Sequence, residues 1–189
     1  DGRKLEGLLA KPANFDPNKK YPMIVNFYEK SSQELYDYKM PEAHRSTVDY
    51  HYYTSNGYLV FNPDVYYDEG YPGEDAEKCV LPGVTALIKE GFVDAESIAA
   101  QGHSWGGYQV AHLATRTNMF AAIESGAPVV NMFSAYGGIR KWTGSNRSFQ
   151  YEHGQSRIGK SIWEAPLRYL DNSPLFWADK INTPLLIMH

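Results

Sequence analysis

The residues best placed to do chemistry are the six at positions 102–107, GHSWGG, with a serine inside a G-x-S-x-G pattern. An apolar, strand-like run at 98–100 precedes them, and a helix-like run, YQVAHLA, follows at 108–114. The alternative is a chance match in a glycine-rich loop. A strand, a sharp turn and a helix around this motif are typical of a nucleophile elbow, so we predict that Ser104 is a nucleophile.

The glycines of this motif have a predicted steric role. Side chains two residues before and after the serine would collide with the neighbouring strand and helix, and Gly102 and Gly106 have none. Gly107 would let the new helix pack close to the sheet. The helix N-terminus favours developing negative charge, which makes the Trp105 N–H a natural donor to an oxyanion.

Length and composition limit the function classes. The chain has 189 residues, 43% hydrophobic and 21% charged, which suits one soluble domain with a sizeable core. A net charge of −4 gives no indication of a basic surface that would bind nucleic acid. No apolar run approaches the roughly 18 residues of a membrane span. We find no metal-ligand cluster, since His44 and His51 lie among polar residues, and we expect neither a metal nor another cofactor.

The order of predicted elements indicates an α/β fold. Apolar runs of strand length alternate with helical patterns, and the strands lack two-fold alternation, which favours a mostly parallel sheet with helices on both faces. Tyr28, Ser104, Pro128 and His189 fall at or just past strand ends, where such sheets bind ligands. This is the α/β-hydrolase architecture. The predicted strands are 4–11 at an edge, 22–28, 58–62, 97–101, 120–125 and 184–189; the helices are 48–55, 74–89 and an elbow helix to 117; 131–173 is an irregular excursion.

At this point the chain resembles the catalytic domain of the prolyl oligopeptidase family of serine peptidases, with the dipeptidyl peptidase IV and acylaminoacyl peptidase branches most similar. The most specific stretch is GFVDAESIAAQGHSWGGYQVAHLAT. The opening DGRKLEGLLAKP and the later ESGAPV and SPLFWADKINTPLLIMH resemble other landmarks of that domain. The resemblance covers nearly the whole chain.

The resemblance implies further site residues. In this family a tyrosine at the end of an early strand donates its hydroxyl to the oxyanion, and the matching residue in IVNFYEKSSQ is Tyr28; a tyrosine at the edge of the core is the alternative. The stretch after a later strand lines the pocket for the residue before the scissile bond. Its candidates are Val129, Met132, Phe133 and Tyr136, for which core packing is an equally good account.

The resemblance also implies that the acid and the base of the triad follow His189. Within the chain, His103 is expected to support the turn, His112 to pack or face water and His153 to lie in the excursion. His189 matches the histidine that precedes the family's acid. We therefore expect residues 1–189 to form a single, partial catalytic domain without its C-terminal acid and base segment and without the family's N-terminal β-propeller, and to be inactive alone.

Three hypotheses follow for function. The first is a serine peptidase that cleaves short peptides through an acyl-enzyme on Ser104. The second is a carboxylesterase with the same constellation, and the third is a non-catalytic α/β-hydrolase-like binding module. The resemblance suggests a secreted or periplasmic location and allows a homo-oligomer of the full-length protein; a cytoplasmic location stays open.

Overall fold

A computed structural model describes residues 2–41, 46 and 48–189. His44 lies outside the described residues, and His51 is exposed on the first helix. The described strands are β1 (Gly7–Ala10), β2 (Tyr21–Asn26), β3 (Leu59–Pro63), β4 (Val93–His103), β5 (Ala122–Gly126), β6 (Ile139–Arg140), β7 (Ser145–Asn146) and β8 (Leu185–Met188). The helices are α1 (Tyr50–Ser55), α2 (Pro72–Lys89), α3 (Trp105–Ala114), α4 (Met132–Tyr136), α5 (Ser148–Glu152) and α6 (Pro166–Asp171), with short 3-10 helices at Ser32–Glu34 and Pro174–Lys180.

The main sheet has six strands among the described residues, in the order β1-β3-β2-β4-β5-β8. β1 pairs antiparallel with β3 at one edge, and the other neighbouring pairs are parallel. The sequence prediction of a mostly parallel sheet with an edge strand near the start of the chain is confirmed. The carboxyl ends of β2, β4, β5 and β8 therefore meet along one edge of the sheet, which is where the predicted site residues fall.

Both faces of the sheet are covered by helices. In β2, Met23 and Val25 pack in a core with α2 and α3, whereas Ile24 points to the opposite face. There it packs with Val60 and with Tyr53 of α1. Because alternate residues enter two different cores, the strands read as continuous apolar runs rather than alternating ones. This confirms an α/β-hydrolase type of fold.

Helix α3 occupies the centre of the molecule, and all ten of its residues are buried. Val110 and Leu113 pack against the sheet. Trp105 and Tyr108 pack on the other side, in an aromatic cluster built with the excursion between β5 and β8. This excursion contains short helices, and it also contains a two-stranded ribbon of β6 and β7 that the sequence did not predict.

Several helix and strand boundaries differ from the predicted ones: β1 is shorter, covering Gly7–Ala10 rather than 4–11, and α3 ends at Ala114 rather than 117. β4 begins at Val93 rather than 97, because the polar run DAES continues the strand. α2 begins at Pro72 and passes through Pro82 without a break. Pro82 leaves the Lys78 carbonyl without its helical donor, but both residues are exposed, so water can satisfy that carbonyl. No described helix is long and apolar enough to span a membrane.

Candidate active site

Ser104 stands at the tip of the turn between β4 and α3. Its backbone has φ 57° and ψ −110°, a conformation that costs free energy for a residue with a side chain. Two hydrogen bonds hold it there: the Ser104 N–H donates to the Gly126 carbonyl at 2.7 Å, and its carbonyl accepts from the Tyr108 N–H at 3.0 Å. The residue is exposed. The predicted strand, turn and helix are thus present, with the serine presented to solvent.

The three glycines of the motif have no room for a side chain. A Cβ atom added at Gly102 would lie 2.3 Å from the Gly106 carbonyl oxygen. One added at Gly106 would lie 2.5 Å from the Phe27 carbonyl oxygen, and one at Gly107 would lie 2.3 Å from that of Gly126. All three contacts are with backbone atoms, so no side chain can rotate away. The steric reason predicted for these glycines is confirmed.

Tyr28 lies level with the elbow. Asn26 of β2 pairs with Gln101 of β4, so the two chains leave the sheet side by side. A Cβ atom at Gly106 would lie 3.7 Å from Cδ2 of the Tyr28 ring, which places the ring beside the first turn of α3. The side chain is 43% exposed, and its hydroxyl accepts a hydrogen bond from Gln155 Nε2 at 2.7 Å. That bond leaves the phenolic proton available for a further acceptor.

The backbone N–H of Trp105 lies beside Ser104, and its side chain lies in the interior. Its N–H belongs to the first helical residue, where no intrahelical acceptor exists, and it makes no hydrogen bond to another described residue. The indole is buried and donates from Nε1 to the Tyr67 hydroxyl at 3.1 Å. The backbone donor is therefore free beside Ser104, while the ring anchors the helix.

Three of the described histidines, His51, His103 and His153, contact groups other than Ser104. A Cβ atom added at Gly126 would lie 3.1 Å from His103 Nδ1, which places that ring against β5. His51 lies 2.6 Å from the Lys39 carbonyl, and exposed His153 pairs with Glu152 at 3.6 Å. No described histidine is hydrogen-bonded to Ser104. A base for the serine is thus not assembled within the described residues.

His112 lies two turns along α3 and is buried. Burial, with a smaller contribution from the charge of Arg116, lowers the pKa of His112 to about 3. Its Nε2 accepts a hydrogen bond from Arg116 Nε at 3.4 Å. Of the two alternatives that the sequence left open, packing and facing water, the structure shows packing, and His112 stays neutral at ordinary pH.

This buried imidazole makes stability depend on pH. An unfolded histidine titrates near 6.5, so the unfolded state binds a proton in the window between about 6.5 and 3 while the folded state does not. Stability is full above that window and is lost as the pH falls. Between pH 7 and pH 5 we expect wild type to lose about 2 kcal/mol more free energy of unfolding than His112→Gln. Urea titrations at the two pH values measure this difference. Exposed His153→Gln is the control, and an equal loss in wild type and His112→Gln would contradict the prediction.

We compared the chain with known proteins. The model of the prolyl oligopeptidase family matches residues 48–189. The chain belongs to that family. It is 24% identical over its whole length to the uncharacterized peptidase YuxL of Bacillus subtilis and 25% identical to dipeptidyl-peptidase 5 of Porphyromonas endodontalis. It spans 28% of the length of each of these relatives.

A solved structure of the family is similar in fold. Dipeptidyl peptidase 4 of Porphyromonas gingivalis superposes on 97% of the chain with a TM-score of 0.70 and 26% identity, and the chain covers 25% of that protein. The prediction of a prolyl oligopeptidase catalytic domain with an α/β-hydrolase fold is confirmed by both comparisons.

The residues that the family resemblance suggests for a substrate pocket come together in one cluster. Met132 and Tyr136 are buried in it, and Val129 and Phe133 pack against it half-buried. The Tyr136 hydroxyl donates to Glu152, and this bond raises the pKa of Tyr136 to about 12. The cluster adjoins Trp105, the residue after the predicted nucleophile. The pocket role of these four residues stays a prediction.

Three polar residues near the elbow of this chain were not predicted from the sequence. They are Tyr67 in the loop after β3, Gln109 on α3 and Gln155 in the excursion, and each one hydrogen-bonds to Tyr28. Gln109 at four residues after Trp105 is the one signal the sequence offers, since such residues share a helix face.

A groove lies away from the elbow. It has a volume of about 760 Å³ and lies on the α1 face of the sheet, between Tyr52 of α1 and Met188 of β8. Its walls are mainly apolar, and Gln101 contributes a buried amide oxygen that has no partner among the described residues. Because Ser104 and Tyr28 do not line it, we do not assign the chemistry to this groove. Among the described residues, no three His, Cys, Asp or Glu side chains are arranged to hold a metal ion.

Proposed function

We propose that the protein to which this chain belongs is a serine peptidase of the prolyl oligopeptidase type that hydrolyses short peptides through an acyl-enzyme on Ser104. The observation that carries the proposal is the elbow itself. Its serine has φ 57° and lies between glycines at which a side chain would collide with backbone atoms. Strain of this kind persists where the surrounding structure requires it and is concentrated at functional sites. Two candidate oxyanion donors beside it, Tyr28 and the Trp105 N–H, support the same function.

The proposed reaction begins when Ser104 Oγ attacks the carbonyl carbon of the scissile amide and loses its proton to a general base. The carbonyl oxygen becomes negative, and the Tyr28 hydroxyl and Trp105 N–H donate to it. The base then returns the proton to the leaving amine as the C–N bond breaks. Water hydrolyses the remaining ester in a second step that regenerates the serine.

We place the acid and the base of this triad outside the described residues. The support is twofold. No described histidine is hydrogen-bonded to Ser104, and β8 ends at the same edge of the sheet as β4, on the far side of β5, with the Ala127 N–H bonded to the Met188 carbonyl at 2.6 Å. A residue that follows β8 would therefore emerge at the edge of the sheet that carries Ser104. Residues 1–189 are accordingly proposed as one part of a catalytic domain.

We propose that the substrate side chain next to the scissile bond is received by the aromatic cluster beside Trp105. Val129 and Phe133 are half-buried and can meet a ligand without repacking, whereas Met132 and Tyr136 form the layer beneath them. Such a surface favours apolar or aromatic residues at this position of the peptide.

Whether the protein cleaves amide bonds, ester bonds or neither tests the proposed function. The full-length protein is assayed with short peptide amides and with acyl esters of matched acyl group. A peptidase cleaves both, because amide cleavage needs the same acyl-enzyme and a protonated leaving amine. Ester turnover without amide cleavage would instead indicate a carboxylesterase. A folded protein that turns over neither substrate would indicate a binding module.

Tyr28→Phe tests the oxyanion role. The variant keeps the ring that packs beside Gly106 and removes only the hydroxyl, with the hydrogen bond that it accepts from Gln155. We expect kcat to fall about 10²- to 10³-fold, the usual cost of one oxyanion donor, with little change in melting temperature. Tyr58→Phe, at another partly exposed tyrosine, is the matched control. Unchanged kcat in Tyr28→Phe would remove Tyr28 from the mechanism.

A further inference from the structure

One buried amide joins the two residues that supply the proposed oxyanion donors. Gln109 lies on α3, one turn after Trp105, and is 0% exposed. Its Nε2 donates to the Tyr28 carbonyl at 2.7 Å and to the Trp105 carbonyl at 3.3 Å. Tyr28 follows β2 and Trp105 begins α3, so a single side chain links the backbones of two separate elements.

The hydrogen-bond network fixes the orientation of this amide. Both Nε2 protons face carbonyl oxygens, and Oε1 accepts from the Tyr67 hydroxyl at 2.9 Å. The opposite orientation would set the amide oxygen against two carbonyl oxygens, with no proton between them. Both Nε2 protons and Oε1 of this amide therefore take part in hydrogen bonds. Removing the amide would leave buried polar groups without partners, which costs free energy.

Tyr67 completes the network from the other side. Its hydroxyl lies 3.0 Å from the Tyr28 carbonyl and accepts from the Trp105 indole at 3.1 Å. The Arg157 guanidinium lies 4.6 Å from the centre of the Tyr67 ring and pairs with Glu29 at 3.1 Å. Glu29 follows Tyr28 directly, so the same arginine holds the ring and the segment that carries the oxyanion tyrosine.

We propose that Gln109 and Tyr67 are positioning residues that fix the separation between the Tyr28 hydroxyl and the Trp105 N–H. The inference rests on the proposed function and goes beyond it by naming what sets the geometry of the oxyanion site. Both donors must lie within hydrogen-bond reach of one oxygen atom, and they come from elements that could otherwise shift independently. Displacements near 1 Å in such a site are enough to lower rates strongly.

The first test measures kcat and KM for a peptide amide in the full-length protein. Gln109→Met keeps the volume of the side chain and removes its hydrogen bonds, and Tyr67→Phe removes one oxygen atom. We expect each variant to lower kcat about tenfold and to leave KM within about twofold, because the loss falls on the transition state. Gln101→Met and Tyr66→Phe are the matched controls, since neither side chain belongs to the network.

The second test is a double-mutant cycle with Tyr28→Phe. If Gln109 acts through the Tyr28 hydroxyl, Gln109→Met lowers kcat by less than about twofold once that hydroxyl is gone. A loss in the Tyr28→Phe background as large as that in wild type would overturn the proposal, as would a wild-type kcat in both single variants. If Gln109→Met does not fold, Tyr67→Phe carries the same cycle.

A third measurement separates failure of this inference from failure of the proposed function. Crystal structures of wild type and Gln109→Met are compared at Tyr28, independently of any turnover. We expect the Tyr28 segment to move away from α3 in the variant while Ser104 keeps its backbone conformation. If Tyr28 does not move in the variant, the positioning role of Gln109 is refuted even if the protein is an active peptidase. If Tyr28 moves but the wild-type protein has no peptidase activity, the positioning role stands and the proposed function is refuted.

Discussion

Ser104→Ala is expected to abolish peptide hydrolysis by the full-length protein, with kcat reduced by at least about 10⁴-fold. The alanine removes the only atom that forms the acyl-enzyme in the proposed reaction. It leaves the oxyanion donors and the substrate surface in place, so KM for any residual turnover should stay close to the wild-type value. Steady-state kinetics with a peptide amide measure the effect.

The control for this substitution is Ser55→Ala. Ser55 is exposed at the last position of α1, on the opposite face of the sheet from α3, and should keep wild-type kinetics. Circular dichroism and melting temperature should be unchanged in Ser104→Ala, since alanine carries a Cβ atom as serine does and only the exposed hydroxyl is removed. Turnover above about 1% of wild type in Ser104→Ala would mean that another nucleophile does the chemistry.

Gly102→Ala is expected to destabilise the fold and inactivate the site together. The added Cβ would lie 2.3 Å from the Gly106 carbonyl oxygen and 2.4 Å from its carbonyl carbon. Relief requires β4 and α3 to separate, which also moves Ser104, the residue between them. Overpacking of this kind costs about 3 kcal/mol or more where no side chain can yield. Urea unfolding measures the stability, and peptide turnover by the remaining folded protein measures the geometry.

Gly137→Ala is the matched control for that substitution. Gly137 has φ −79°, which alanine adopts freely, and a Cβ atom there meets nothing within 4 Å. We expect its free energy of unfolding to stay within about 0.5 kcal/mol of wild type. If Gly102→Ala were as well tolerated as this control, the close approach of strand and helix at the elbow would be wrong.

The sequence predicts the elbow well because that region obeys local rules. The glycines at 102, 106 and 107 are required where the turn brings β4 and α3 close to each other and to the ends of β2 and β5, and such close approaches recur wherever this turn forms. The buried strands are also predicted well. Neighbouring residues such as Ile24 and Val25 enter two cores on opposite faces, so the strand is a continuous apolar run in the sequence. Element order and the position of the strand ends follow from these patterns.

The partners of Tyr28 could not be predicted, because they come from distant parts of the chain. Tyr67 and Gln109 are 39 and 81 residues away from it, and Gln155 is 127 residues away. Nothing in the spacing of a glutamine on an apolar helix indicates which carbonyl it will face across a core. The start of β4 was predicted too late for a related reason, since pairing with neighbouring strands decides whether the polar run DAES continues a strand.

The most direct test of the central claim is the site of covalent labelling in the full-length protein. A fluorophosphonate probe is added, the intact mass is measured, and the modified peptide is mapped by mass spectrometry. The proposed function predicts one adduct per chain, carried by the peptide that contains Ser104 and absent from Ser104→Ala. An adduct on another residue, or no adduct on a folded protein that cleaves peptides, would contradict it.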